Sequence, residues 1–169
     1  LTLRHQIDAE NETMTFSDTQ NAYLNIIEQL NFVALSGGAG TGKTLMAIEL
    51  IRRFSSNQKI LFLCFNRALA RHVRFSLKPL GKLPNITVVN SYAWVNQLSR
   101  ELGLPRSEED MEDRIEEVIT QAQVKLEKYD VIIIDEGQDF NDEWFIHIES
   151  MLQEQGKFYV FYDQQQSIF

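Results

Sequence analysis

Eight consecutive residues, Gly37-Gly38-Ala39-Gly40-Thr41-Gly42-Lys43-Thr44, set glycines ahead of a lysine and a threonine in the order G-x-x-x-x-G-K-[ST]. Glycine lets the backbone aim successive N–H groups at one point, where phosphate oxygens can be cradled. A helix beginning at the end of such a loop adds the partial positive charge of its N-terminus. Lys43 would then reach the β- and γ-phosphates of a nucleotide, and the Thr44 hydroxyl would ligate Mg²⁺. The pattern predicts a nucleoside triphosphate site over residues 37–44. ATP is expected, because no N-K-x-D-type guanine motif occurs.

A second reactive group lies far along the chain, where Val131-Ile132-Ile133-Ile134 leads into Asp135-Glu136. An apolar strand that delivers two carboxylates to its end can place a metal ligand and a base opposite a phosphate loop. Asp135 is expected to hold the magnesium through water. Glu136 is expected to orient and deprotonate the attacking water. By itself an acidic pair after a strand reads as a solvated turn. Set beside a phosphate loop, it reads as hydrolytic machinery.

Both groups need a scaffold that brings distant segments together. Ser17 and Gln20 form an S-x-x-Q capping box ahead of helical spacing, predicting a helix over 18–30. An apolar strand over 32–36 runs into the glycines, and helical spacing resumes until Ser55-Ser56-Asn57. Continuous apolar runs predict further strands over 60–65, 86–89, 131–134 and 158–162. Helices are predicted over 67–77, from a Ser91 cap through Leu102, over 108–128 and over 142–154. Strands alternating with helices imply an α/β fold, a parallel sheet with helices on both faces. Such sheets bind ligands at the carboxyl ends of their strands, where every motif here falls. Residues 1–15 read as a polar arm and 16–169 as one nucleotide-binding domain.

The continuation Glu136-Gly137-Gln138-Asp139 resembles the D-E-x-Q-D signature of superfamily 1 helicases of the Rep/UvrD type. Residues 36–44 are similar to that family's first motif, including its Gly-Ala-Gly-Thr-Gly core. Gln20 resembles the glutamine that reads adenine in these enzymes, while the same side chain also serves the capping box. Residues 60–70 resemble motif Ia, in which Asn66 and its neighbour Arg67 would touch the single-stranded backbone. Phe65 stands where the family carries a hydroxyl residue, which is closer to helicases fused to nuclease-related domains. Residues 90–94 resemble motif Ib in a register ambiguous by one, placing Ser91 and Tyr92 on nucleic acid. The alternative for that pair is a plain helix cap and a core aromatic. Residues 163–169 resemble motif III, with Gln166 near the γ-phosphate and Phe169 near the base-stacking surface. Tyr162 replaces that motif's usual glycine.

The resemblance implies a RecA-like P-loop core (Walker A and Walker B motifs) that hydrolyses ATP with Mg²⁺ and moves on single-stranded DNA, with RNA as the alternative. It further implies a second RecA-like domain, which supplies arginines that stabilise transition-state charge. The sequence stops directly after motif III, so the expectation is the first motor domain, shortened, with weak or no hydrolysis alone. The alternative is a P-loop ATPase that serves as a nucleotide switch without strand movement.

Charge bears on the nucleic-acid reading. The chain of 169 residues carries a net −8, which argues against a generally basic binder. Ten acidic and four basic residues between Glu101 and Asp130 account for most of that excess. Residues 52–82 run the other way, with eight cations and no acid, so whole-chain charge conceals a basic segment. A solvated helix face is the alternative reading of that run. No apolar run reaches the length of a membrane span, and residues 1–6 lack a signal-peptide pattern. The single cysteine, Cys64, lies in an apolar run and reads as a buried thiol in a reduced, cytoplasmic compartment.

Overall fold

The computed structural model describes residues 16–54, 57–105 and 111–163. β2 (Ile60–Cys64) is buried at every position, so it has no solvent face and lies inside a sheet covered on both sides. Its side chains alternate between two cores. Ile60, Phe62 and Cys64 join one with α1 (Asp18–Ile27), α2 (Lys43–Phe54) and α3 (Arg67–Leu77). Leu61 and Leu63 join the other with α4 (Ser91–Glu101), α5 (Met111–Lys125) and α6 (Asp142–Glu149). Around β2 stand β1 (Phe32–Ser36), β3 (Ile86–Asn90), β4 (Tyr129–Ile134) and β5 (Leu152–Tyr162).

All pairings are parallel, and the sheet order is β1-β5-β4-β2-β3. The expected α/β architecture is therefore the observed one. Because the strands run one way, residues following β1, β2, β3, β4 and β5 gather at one end of the sheet. β5 stands between β1 and β4, so the strands leading to the phosphate loop and to Asp135 are not direct neighbours.

Several boundaries differ from the sequence reading, each for a local reason. α1 stops at Ile27 rather than residue 30, because its terminal carbonyls are taken by side chains of β5. Tyr159 donates its hydroxyl to the Ile27 and Leu30 carbonyls at 3.0 and 3.1 Å, and Lys157 Nζ donates to the Glu28 carbonyl at 2.8 Å. β4 begins at Tyr129 instead of 131, and β5 begins at Leu152 instead of 158, since these two residues pair with each other. α6 accordingly ends at Glu149. The cap of α4 is Asn90, whose Oδ1 accepts from the Ala93 N–H at 2.8 Å, and not Ser91.

Cys64 is fully buried, and burial, followed by the charges of Glu136 and Asp135, pushes its thiol up to about 12. It is a core residue with a protonated sulfur at neutral pH.

Candidate nucleotide site

The loop between β1 and α2 needs glycine at two positions of left-handed backbone, Gly40 (φ 76°) and Gly42 (φ 82°). A Cβ on Gly42 would also approach Gln20 Nε2 to 2.9 Å. Lys43 folds back across the loop, donating from Nζ to the Gly38 carbonyl at 2.8 Å and to the Gly37 carbonyl. Thr41 closes the turn by donating its hydroxyl to the Gly38 carbonyl at 2.8 Å. The first-turn N–H groups of α2 open toward the same space, and no acid stands in that turn.

Gln20 performs two tasks with the two ends of one amide. Its Oε1 accepts from the Ser17 N–H at 3.1 Å, completing the capping box, while Nε2 donates to the Thr41 carbonyl at 3.4 Å. The cap and a position against the phosphate loop are thus compatible.

Across the sheet, the Thr44 hydroxyl donates to Asp135 Oδ2 at 2.6 Å, joining residues 91 apart in sequence. The other oxygen, Oδ1, accepts from the Glu136 N–H at 2.9 Å. Asp135 is only 1% exposed, and burial raises its carboxyl above the ordinary aspartate range. The Thr44 hydroxyl, the Glu136 N–H and the Lys43 charge pull it back down. A buried carboxylate and a hydroxyl form a hard-oxygen donor set suited to Mg²⁺, which takes one or two carboxylates and completes its shell with water and phosphate. No group of three or more His, Cys, Asp or Glu among the described residues could hold a metal unaided. Thr44 and Asp135 are the residues that would hold the ion.

Glu136 follows in left-handed backbone (φ 56°, ψ 46°), the one non-glycine positive φ among the described residues. For glutamate this conformation costs on the order of 1 kcal/mol and persists only where the surroundings enforce it. Burial, then the charges of Asp135 and Asp139, raise its carboxyl above the ordinary glutamate range. A base shifted in that direction is better matched to neutral pH.

A family model described as an AAA domain matches residues 20–169. The chain belongs to this AAA domain family. Domains of this kind are P-loop domains associated with Rep/UvrD-like superfamily 1 helicases. No curated protein matches the chain. No helix among the described residues is long and apolar enough to cross a membrane.

In this AAA domain the positions expected to meet nucleic acid separate into exposed and withdrawn ones. Asn66 caps α3 by accepting from the Ala68 N–H at 2.7 Å, and it remains exposed beside β2's end. The Arg67 guanidinium lies 5.8 Å from the centre of the exposed Tyr92 ring, so the two form one platform. Ser91 is buried at the start of α4, so neither its capping role nor an outward contact fits its position. Phe65, where the resemblance leads one to expect a hydroxyl, is half exposed and meets Phe140 edge-on at 6.2 Å. Gln166 and Phe169 lie outside the described residues, as do positions 1–15.

Gln138 sits inside the D-E-x-Q-D stretch, and residue type alone assigns it no role. Its Oε1 accepts from the Asp163 N–H at 3.0 Å, tying the turn after β4 to the first residue after β5. The carboxylate turn and the end of β5 are therefore joined at Asp163. Gly137 makes that junction possible, because a Cβ there would stand 2.6 Å from Val160 Cγ1 and 3.3 Å from the Phe161 carbonyl oxygen. Gly137→Ala is expected to destabilise the AAA domain by about 1–3 kcal/mol, as other overpacked sites do. Urea denaturation is the measurement, and an unmoved midpoint would show that β5 gives way freely.

Proposed function

We propose that this AAA domain is the ATP-hydrolysing first motor domain of a superfamily 1 helicase-type protein acting on single-stranded DNA. The observation that carries the reading is the 2.6 Å hydrogen bond from Thr44 to Asp135, which brings the phosphate loop and the carboxylate turn into one site. Loop N–H groups and Lys43 bind the β- and γ-phosphates, and Gln20, already against the loop, contacts the adenine. Thr44 and Asp135 would hold Mg²⁺, which would supply charge neutralisation at the phosphates. Glu136 takes the proton of the attacking water. The tie from Gln138 to Asp163, the residue at which the motif III resemblance begins, supports a route from the nucleotide to that motif, in which Gln166 would sense the γ-phosphate and Phe169 would stack on a base. The Arg67–Tyr92 platform at the carboxyl ends of β2 and β3 supports contact with a strand crossing the top of the sheet. Phe65 favours the variant found in helicases with nuclease-related domains. A second RecA-like domain completes the transition-state charge stabilisation.

The test compares ATP hydrolysis with and without oligothymidylate in the protein that carries this domain together with its partner domain. Stimulation of several-fold or more is expected. Normal nucleotide binding with an unstimulated rate would replace the motor by a nucleotide switch.

A further inference from the structure

The basic segment over 52–82 divides into two halves once the chain is folded. Arg52, Arg53 and Lys59 do structural work. Arg53 pairs with Glu28 at 2.8 Å and with Glu49 at 3.4 Å, Arg52 donates to the Ser76 carbonyl at 3.2 Å, and Lys59 pairs with Glu127 at 3.2 Å. Of the five remaining cations, Lys82 is exposed beyond the helix, and the other four behave differently. Arg67, Arg71, Arg74 and Lys78 recur at intervals of four, three and four residues, which puts them within an arc of about 60° on α3 and its cap. All four are exposed, and none forms an ion pair among the described residues. About 100° around the helix, Ala70, Val73 and Leu77 anchor it to the core, so the basic stripe lies along an exposed flank beside the β3 edge.

A merely solvated face would mix signs, because like charges at these spacings repel by a few tenths of a kcal/mol per pair. Here a chain of net −8 keeps one face free of acids, with cations in steps of about 4.5–6 Å. Apolar surface accompanies the charge. Phe75 is 57% exposed beside the stripe, with Lys78 Nζ 4.9 Å from its ring centre. Arg74 and Lys78 also form the lip of a groove of about 190 Å³, whose floor is Leu77, Leu83, Ile86 and Val88 at the β3 edge of the sheet. Charge on the rim with apolar surface beneath matches a strand that carries phosphates outside and flat bases within.

We propose that the outward face of α3, with Phe75 and the adjoining groove, is a second single-stranded nucleic-acid surface. It continues the Arg67–Tyr92 platform down the β3 side of the sheet and is independent of the nucleotide. The inference rests on the nucleic-acid reading given above.

The experiment measures binding of a fluorescent oligothymidylate to the chain over a series of salt concentrations. Removing three phosphate contacts with Arg71→Ala, Arg74→Ala and Lys78→Ala together should lower the slope of log affinity against log salt by about 2. Phe75→Ser should weaken binding by at least about fivefold and leave that slope unchanged. Nucleotide affinity certifies the fold of the α3 variants. Were the triple variant to lose it, Arg71→Gln and Arg74→Gln singly should each lower the slope by about 0.7. Wild-type slope and affinity in the charge variants overturn the α3 surface while leaving the strand path over β2 and β3 intact. A wild-type chain that binds no oligonucleotide overturns both.

Discussion

Replacing Lys43 by alanine is expected to weaken magnesium-nucleotide binding by at least about a hundredfold. Two charge-assisted hydrogen bonds to phosphate contribute about 1.5–3 kcal/mol each, and 1.4 kcal/mol is a factor of ten. Lys43 is the only cation of the loop, and its Nζ already lies over the loop beside the Gly37 and Gly38 carbonyls. Exchanging carbonyl oxygens for phosphate oxygens is therefore a local movement of one side chain. Titration with a fluorescent ATP analogue gives the affinity, and thermal denaturation without nucleotide separates lost binding from lost folding. An affinity within about threefold of wild type, a difference below 1 kcal/mol, would remove Lys43 from the phosphate site.

Glu136→Gln is expected to leave nucleotide affinity within about twofold and to lower single-turnover hydrolysis by about 10²–10⁴. The amide preserves size and turn geometry and cannot accept the proton. The pH dependence supplies an independent check. Burial and the neighbouring Asp135 and Asp139 charges hold Glu136 above the ordinary glutamate range. The base must be ionised to act, so the wild-type rate falls as pH is lowered through that raised value. Hydrolysis by the glutamine variant lacks this limb. A variant that hydrolyses ATP at the wild-type rate assigns the proton to another acceptor.

The parts of this site that could be read from the sequence are those in which residue type and spacing leave one solution. A G-x-x-x-x-G-K-T run after an apolar strand has one mechanical use, and residues 37–44 fold accordingly. The acid pair after 131–134 was legible for the same reason, and so was the alternation of strands and helices. Three features were not legible, each because a distant partner decides them. Asn90 and Ser91 are both good capping residues. Asn90 takes the cap because β3 extends through it, paired with Cys64. Leu152-Gln153-Glu154-Gln155 carries no strand signal, and it is extended because Leu152 pairs with Tyr129. The left-handed turn at Glu136 has no composition cue, since glutamate disfavours it. Only in the folded chain does it appear, beside Gly137, whose backbone lies close against β5. The basic segment was visible from the start, but only its folded geometry separates the cations engaged with the core from those lined up on α3.

The position of β5 bears on how the protein is made. Among the described residues, β1 pairs only with β5, and β5 is the last of the five strands in sequence. A nascent polypeptide that has emerged through β4 holds both halves of the triphosphate grip but lacks the piece that sets them side by side. Its glycine loop hangs from a strand with no hydrogen-bonded neighbour. The proposed ATP site therefore takes shape only once β5 has emerged from the ribosome and paired with both β1 and β4.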